Sequence, residues 1–465
     1  MVTKGMKQPF PPSKCLDFKY NIKPIPMKIM KFGGTSVGKP ERMHQVKDLI
    51  TRGDEPTIVV LSALSGTTNA LVGIGEALAA GNKILAKERI DTLLAHYKAF
   101  CPELLKTDEA RAKAEEIISE HFEFLNILLK ISFNEAINRD ILAQGELLST
   151  KLFYTLLEEL EIPAVFLPAL DFMSIDENSE PELPKISEKL KAILAQHPDG
   201  RLFITQGYIC KNHRNEVDNL KRGGSDYTAS LIAAAIQASV CEIWTDIDGM
   251  HNNDPRIVDR TRPIAELSFD EAAELAYFGA KILHPASIWP AQQFNVPVKL
   301  LNTMQPEANG TLIKEEVETV GVKAIAAKDG ITAIKIKSSR MLLAYGFLRK
   351  VFEIFEKYKT PIDMITTSEI AVSVTIDDLS HLDQIVSELQ ALGLVEVDHN
   401  QTIICIVGNM VSETKGAIKL VMDALVDIPI RMVSYGGSTH NVSILVEAKY
   451  KVQALQSLNQ GVFTW

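Results

Sequence analysis

No run of about 20 consecutive apolar residues occurs in this sequence, so no membrane-spanning helix is expected. The uncharged stretch Tyr227–Cys241 covers only 15 residues, and its Ala, Ser and Gln content reads as a buried helix running into a strand. Cysteine is scarce. Cys15, Cys101, Cys210, Cys241 and Cys405 are scattered, odd in number and form no C-x-x-C pair, which argues against structural zinc and against a disulfide framework. No metal-ligand cluster is expected. Positive charge is not in excess either: 49 Lys and Arg face 59 Asp and Glu, a formal net charge of −10, a poor balance for nonspecific nucleic-acid binding. The N-terminus lacks the apolar core of a signal peptide, and the first arginine is Arg42, which disfavours an Arg-rich transit peptide. These absences leave a cytoplasmic globular protein in a reducing compartment as the expectation.

At 465 residues the chain is long for one core, and two to four domains are expected. Residues 1–26 are proline-rich and aperiodic, and read as a flexible N-terminal extension. From Met27 strand and helix alternate. "KIMKF" is a short strand followed by a glycine turn, and the helix after Pro40 puts Met43, Val46, Leu49 and Ile50 on one face. "PTIVVLS" reads as a strand buried on both faces, and residues 83–135 as a helical excursion. The β/α rhythm resumes with "AVFLPAL", "RLFITQGYI", "CEIWTD" and "VPVKLL". Such spacing implies an α/β fold with a mostly parallel sheet between helix layers, its ligands at the carboxyl ends of the strands.

Beyond about residue 310 the strands shorten and an internal repeat appears. "TPIDMITTSEIAVSVTI" (360–376) parallels "IPIRMVSYGGSTHNVSILV" (428–446), and each copy follows an amphipathic helix. Two small α+β modules are expected. The domains are therefore placed at 27–310 for the α/β unit, 311–398 for the first module with its linker, and 399–465 for the second.

Chemistry is suggested by five stretches. "GGTSVGKP" (33–40) is one residue from a P-loop, but Pro40 stands where Ser or Thr should ligate magnesium. A strand, glycines and a helix start still suit an anion, and Lys31 at the strand end is better placed than Lys39 to reach a phosphate; a tight β-to-α turn is the simpler alternative. In "KRGGSDYTAS" (221–230), Gly223 and Gly224 permit close backbone approach, Ser225 can cap the next helix, and Arg222 and Asp226 flank the turn as a carboxylate fork and an orienting acid. "WTDIDGMHNNDPR" (244–256) lacks the glycine and glutamate positions of an EF-hand loop. It suits a nucleotide, or is a loop of turn-formers. Glu146 on an apolar helix needs a cationic partner if buried, the simpler alternative being a partly exposed Glu near the helix start. Lys281 in "FGAKILHP" sits before Pro285, where a cation also suits a helix dipole.

Together, "KFGGTSVG", "QGELLST", "TQGYI", "RGGSDYTA", "WTDIDG…DPR" and "FGAKILHP", in this order from Met27 onward, resemble the aspartate kinases of the amino-acid kinase superfamily, and the C-terminal repeats resemble their two ACT domains. The resemblance implies a monofunctional, feedback-regulated enzyme that phosphorylates the β-carboxylate of L-aspartate with ATP and Mg²⁺, at the head of lysine, threonine and methionine biosynthesis. It implies Lys31, Asp226 and Lys281 as catalytic groups, and Lys31, Phe32, Gly33, Gly34, Thr245, Asp246, His251, Arg256 and Lys281 around ATP. Ser62, Thr68, Glu146, Arg222, Gly223, Gly224 and Ser225 would hold aspartate, with Thr68 and Glu146 on its ammonium and Arg222 with Ser225 on its α-carboxylate, while Asp226 would organise Lys31. The family usually has Tyr where this chain has His251, which implies weaker adenine stacking.

For regulation, "PIDM" carries Asp363 where its repeat carries Arg431, so the first module has the carboxylate that a cationic effector needs. Lysine-inhibited members of the family bind lysine there, which implicates Met341, Ala344, Phe347, Leu348 and Asp363; Ala344 replaces a serine found in some relatives. A homodimer or larger oligomer through the ACT domains is implied. The competing readings are a catalytically inactive amino-acid sensor and a related kinase acting on glutamate or a nucleoside monophosphate.

Overall fold

The computed structural model describes residues 26–220, 223–279, 283–319, 321–341, 345–409 and 413–463. The expected flexible extension at 1–26 lies almost wholly outside them, as do Arg222, Lys281 and Ala344.

The first strand, β1 (Lys28–Phe32), runs into a four-residue helical turn, α1 (Gly34–Val37), and then α2 (Pro40–Ile50). Pro40 opens α2, where its missing N–H costs nothing, and Met43, Val46, Leu49 and Ile50 form its buried face as expected. Strand β2 (Thr57–Leu61) is buried along its whole length. There follow α3 (Thr67–Ala79) and the helical excursion: α4 (Lys83–Leu104), α5 (Asp108–Leu128) and the long α6 (Glu135–Glu159). Next come β3 (Val165–Leu167), α7 (Ala169–Phe172), α8 (Leu183–Leu194), β4 (Leu202–Gln206), the small hairpin β5 (Ile209–Lys211) and β6 (Val217–Asn219), and α9 (Gly224–Ile236). The unit closes with β7 (Val240–Thr245), β8 (Glu266–Ser268), α10 (Phe269–Tyr277), α11 (Pro285–Gln293), β9 (Val298–Asn302) and β10 (Thr311–Lys314).

Eight of these strands form one sheet in the order β3-β4-β2-β1-β7-β9-β10-β8, parallel except where β9 meets β10. Its two faces carry separate cores. Met30, Phe32, Val59 and Leu61 pack with α2 to α6. Ile29, Ile58, Val60 and Ile243 pack with α8 to α11 on the other side. The period of two thus sends Lys31 to the α9 side of the sheet. Because β10 belongs to this sheet, the expected boundary at 310 is corrected: the α/β unit continues to Lys314.

The remainder is built on two long strands, β11 (Gly321–Lys337) and β14 (Leu394–Asn409), in a six-stranded sheet. Between them lie α12 (Phe347–Lys357), β12 (Ile365–Thr367), β13 (Ala371–Ile376) and α13 (Leu382–Gln390). After them come α14 (Ala417–Ala424), β15 (Met432–Tyr435), β16 (Asn441–Glu447) and α15 (Lys451–Val462). The two repeats are present, but their boundary is not sequential. Residues 332–337 of β11 pair with β13 and 333–337 with 394–398 of β14, whereas 322–328 pair with 403–408 of β14, which pairs onward with β16. The second module therefore takes one of its strands from 321–328, and the first module is inserted within it. The expected division into 311–398 and 399–465 is corrected accordingly. Register shifts in β11 between Lys328 and Ala333 mark the crossover.

Candidate active site

Lys31 is nine-tenths buried in the centre of the sheet, paired in register with Val60 and Ile243. A cation there needs a counter-charge. Asp226, in the first turn of α9, supplies it at 2.6 Å. Beyond Lys31 the chain turns through Gly33 and Gly34 against the loop after β2. A Cβ on Gly34 would come within 3.0 Å of the Ala63 carbonyl, and one on Gly38 within 2.7 Å of the Ser65 Cβ, so only glycine allows this approach. Phe32 stacks on Trp244 at 5.8 Å. Lys39 is exposed at the N-cap of α2.

Glu146 lies in the middle of α6, not near its start, and is 4% exposed. One side of its carboxylate accepts the Ala63 N–H, while Oε2 has no hydrogen-bond partner among the described residues. Burial pushes its pKa up to about 7, against the opposing pull of the Ala63 N–H and the Lys31 charge. Gly145 lets α6 come this close, since a Cβ there would meet the Ala63 Cβ at 2.8 Å. Ser62 ties the strand ends together. Its N–H donates to the Phe32 carbonyl at 3.2 Å, and its carbonyl accepts from the Ser149 hydroxyl at 2.8 Å. Thr68 stands exposed in the first turn of α3.

The second glycine turn adopts left-handed backbone at Gly223 (φ 65°) and Gly224 (φ 52°), and Ser225 is buried behind it. The expected capping role of Ser225 is corrected: the N-cap of α9 is Gly223, and Ser225 lies inside the helix. Its hydroxyl is therefore not committed to the helix start. Gly207 allows the contact, since a Cβ there would fall 2.3 Å from the Ser225 Oγ.

Sequence reasoning missed the side chain of Tyr208. The Ile209 N–H donates to the Gly207 carbonyl at 2.7 Å, and Tyr208 between them sits at φ 67°, a strained γ-turn for a bulky residue. Its N–H donates to the Thr228 Oγ1 at 2.8 Å. Its hydroxyl is bonded to the Asn219 side chain, and burial together with the Glu146 charge pushes its pKa up to about 12. Asn219 is buried with Oδ1 unpartnered among the described residues. The signal in the sequence was only the glycine of "TQGYI".

At the end of β7, Thr245 and exposed Asp246 begin a long loop, with the Thr245 hydroxyl donating to the Asp246 carboxylate at 3.1 Å. His251 does not present free ring nitrogens: Nε2 is 2.8 Å from Asp248, and Nδ1 is 3.0 Å from the Thr261 hydroxyl. Arg256 is exposed and doubly bonded to Asp254, whose carboxyl it holds below the usual range. The structure thus gathers Lys31, Asp226, Glu146, Ser62 and the first glycine loop at the carboxyl ends of β1 and β2. His251 and Arg256 lie further out on the loop.

In the first module, Met341 packs at the edge of the core, Phe347 is buried at the start of α12 and Leu348 is exposed. Asp363, expected to receive an effector ammonium, already faces one from the chain itself. Lys328 of β11 lies 2.7 Å away, and the Tyr277 hydroxyl of α10 donates to the same oxygen at 2.6 Å.

Residues 26–302 match the amino acid kinase family, and residues 404–461 match an ACT domain. The chain is 34% identical over 447 residues to lysine-sensitive aspartokinase 3 of Escherichia coli, covering 94% of this chain and 99% of that protein. It superposes on the crystal structure of E. coli aspartokinase III in complex with aspartate and ADP (R-state) with a TM-score of 0.78 at 33% identity, over 94% of this chain and 100% of that one. The lysine- and aspartate-bound T-state structure of the E. coli enzyme gives a TM-score of 0.79, with the same identity and coverage.

Proposed function

We infer that this chain, which belongs to the amino acid kinase family and within it to the aspartate kinases, transfers the γ-phosphoryl group of ATP to the β-carboxylate of L-aspartate. The observation that carries the residue-level reading is the orphaned Oε2 of Glu146. A buried carboxylate oxygen without a partner, beside a buried Lys31–Asp226 pair, fits a substrate that brings its own ammonium. The E. coli relative is described with aspartate and ADP, in keeping with this pair of ligands.

The β-carboxylate of aspartate has a pKa of about 4 and is ionised at neutral pH. It needs no general base, only in-line placement against the γ-phosphorus. Glu146 holds the substrate ammonium. Thr68 joins Glu146 at the ammonium, Arg222 and Ser225, with the N–H groups of Gly223 and Gly224, hold the α-carboxylate, and Ser62 borders the substrate. Lys31, fixed by Asp226, and Lys281 draw charge from the phosphoryl oxygens, while Phe32, Gly33, Gly34, Thr245, Asp246, His251 and Arg256 border the nucleotide. Mg²⁺ rests in such sites on phosphates with one or two carboxylates, a donor set that exposed Asp246 fits; it would neutralise phosphate charge. The product is a β-aspartyl phosphate anhydride.

Lysine is the proposed effector, since the E. coli T-state carries lysine and the first module holds the Asp363 carboxylate. A homodimer or larger assembly through the ACT domains is in keeping with exposed Ile365, Ile370 and Leu394 on the first module. The buried thiols of Cys101, Cys210, Cys241 and Cys405 suit a reducing, cytoplasmic compartment. One assay separates the readings: ATP turnover with aspartate against glutamate, each with and without lysine and threonine. No turnover with either acid would favour an inactive sensor, and preference for glutamate a different carboxylate kinase.

A further inference from the structure

The loop that leaves β7 runs some twenty residues before β8, too long to hold its shape without support. Its support comes from the second regulatory module. Asn252 is 1% exposed; its N–H donates to the Arg262 carbonyl at 3.0 Å, its Oδ1 accepts from the Arg262 N–H at 2.7 Å, and its carbonyl accepts from Ile325 of β11 at 2.9 Å. Asn253, 3% exposed, donates through Nδ2 to the Leu455 carbonyl at 3.2 Å and to the Asn459 Oδ1 at 3.3 Å, both on α15. Asn459, equally buried, donates back to the Arg260 carbonyl of the loop at 2.9 Å. Val258 inserts into the core formed by Ile325, Leu455 and Leu458. The inner side of the loop is therefore packed on β11 and α15, while Asp246 and Arg256 remain exposed.

We propose that Asn253 and Asn459 are positioning residues for nucleotide binding, and that α15 is the wall that sets the loop from Thr245 to Arg256 in its binding shape. The inference rests on the reading of this loop as part of the nucleotide site. Buried amides with reciprocal bonds have few alternative partners, so they fix one arrangement of the two elements. Displacement of α15 would move the loop with it, which gives the second module a direct route to ATP affinity without any contact with the phosphates.

The test uses the full-length enzyme. Asn459→Ala should raise KM for ATP about tenfold, equivalent to about 1.4 kcal/mol, with KM for aspartate and kcat at saturating ATP within about twofold. Asn253→Ala should do the same, and the double variant should be little worse than either, because the two share one set of bonds. Asn459→Asp keeps the acceptor for Asn253 but loses the donor to Arg260, and should fall between; it also serves if the alanine variant does not fold. Val421→Ala, in the same core but on α14, measures simple destabilisation and should lower Tm with KM for ATP unchanged. An unchanged KM for ATP in Asn459→Ala, alongside a raised one in Asp246→Ala, would overturn the positioning role and leave the loop as a nucleotide site. Unchanged values in both would overturn both. A rise in both substrates' KM that Val421→Ala reproduces would reduce the asparagines to ordinary packing.

Discussion

Lys328 and Asp363 form an ion pair of 2.7 Å that joins the β11 strand to the segment leading into β12, with the Asp363 side chain only 1% exposed. Lys328 also reaches Asp377 at 2.9 Å and lies 4.4 Å from the centre of the Tyr277 ring. Burial pulls the Lys328 ammonium down, but its bonds to Asp363 and Asp377 outweigh this and hold its pKa above the ordinary value. The chain's own ammonium and the Tyr277 hydroxyl hold Oδ1 of the carboxylate that the proposed effector needs, while Oδ2 has no hydrogen-bond partner among the described residues.

An effector lysine would then compete with Lys328 for the charge of this carboxylate. Lys328→Met should lower the lysine concentration for half-inhibition, since it leaves Asp363 buried without its cation and open to an external one. Asp363→Ala should abolish lysine inhibition while kcat without effector stays within about threefold, because a site remote from the chemistry contributes little to the barrier. Inhibition curves on the three enzymes check this; undiminished inhibition of Asp363→Ala would remove Asp363 from the effector site, and inhibition by threonine alone would change the ligand.

The two lysines of the glycine loop should behave differently. Lys31→Ala should lower kcat by roughly 10²–10³, the scale for loss of one preorganised charge-stabilising donor. Lys39→Ala, at an exposed helix N-cap, should lower it far less. Equal losses would restore the P-loop reading.

Glu146→Gln should raise KM for aspartate and leave KM for ATP nearly unchanged. The raised pKa of Glu146, about 7, adds a pH dependence. The free enzyme holds the proton below that pH, so kcat/KM for aspartate should fall as pH drops through about 7. For stability the sign is opposite. The folded pKa exceeds the unfolded value of 4.5, so the group's stabilisation is full below 4.5 and is lost as pH rises towards about 7. Glu146→Gln should therefore raise Tm more at about pH 8 than at about pH 5. A KM defect confined to ATP would move Glu146 out of the substrate site.

His251→Tyr would supply a larger ring for adenine, but the imidazole is tied at both nitrogens to Asp248 and Thr261. A phenol cannot reproduce both bonds. Each lost bond at a partly buried site costs about 1 kcal/mol, so ATP binding should weaken several-fold. Calorimetry with ADP checks it, and tighter binding would show that stacking outweighs the loop's internal bonds.

Where local pattern governs, the sequence was legible. "KIMKF" read as a short strand with Lys31 at its end, and Pro40, Met43 and Val46 marked α2 and its buried side. Capping by Ser225 was misread because Gly223 takes the N-cap with left-handed backbone, which no side-chain propensity announces. The strain at Tyr208 was equally silent, since a γ-turn forms only when the ends of β4 and β6 are already clamped.

By itself the sequence determined the order of strands and helices, the glycine turns and the charged residues at strand ends, because these follow from periodicities of two and 3.6 and from backbone freedom within a few residues. Tertiary structure alone decided partners. It left one oxygen of Glu146 without a bond, set Lys328 against Asp363 and threaded the first module into the second through β11 and β14. Each of these joins residues far apart in the chain. Whether a charge is paired, orphaned or shared depends on what packing brings within about 3 Å, and local propensity carries no record of that.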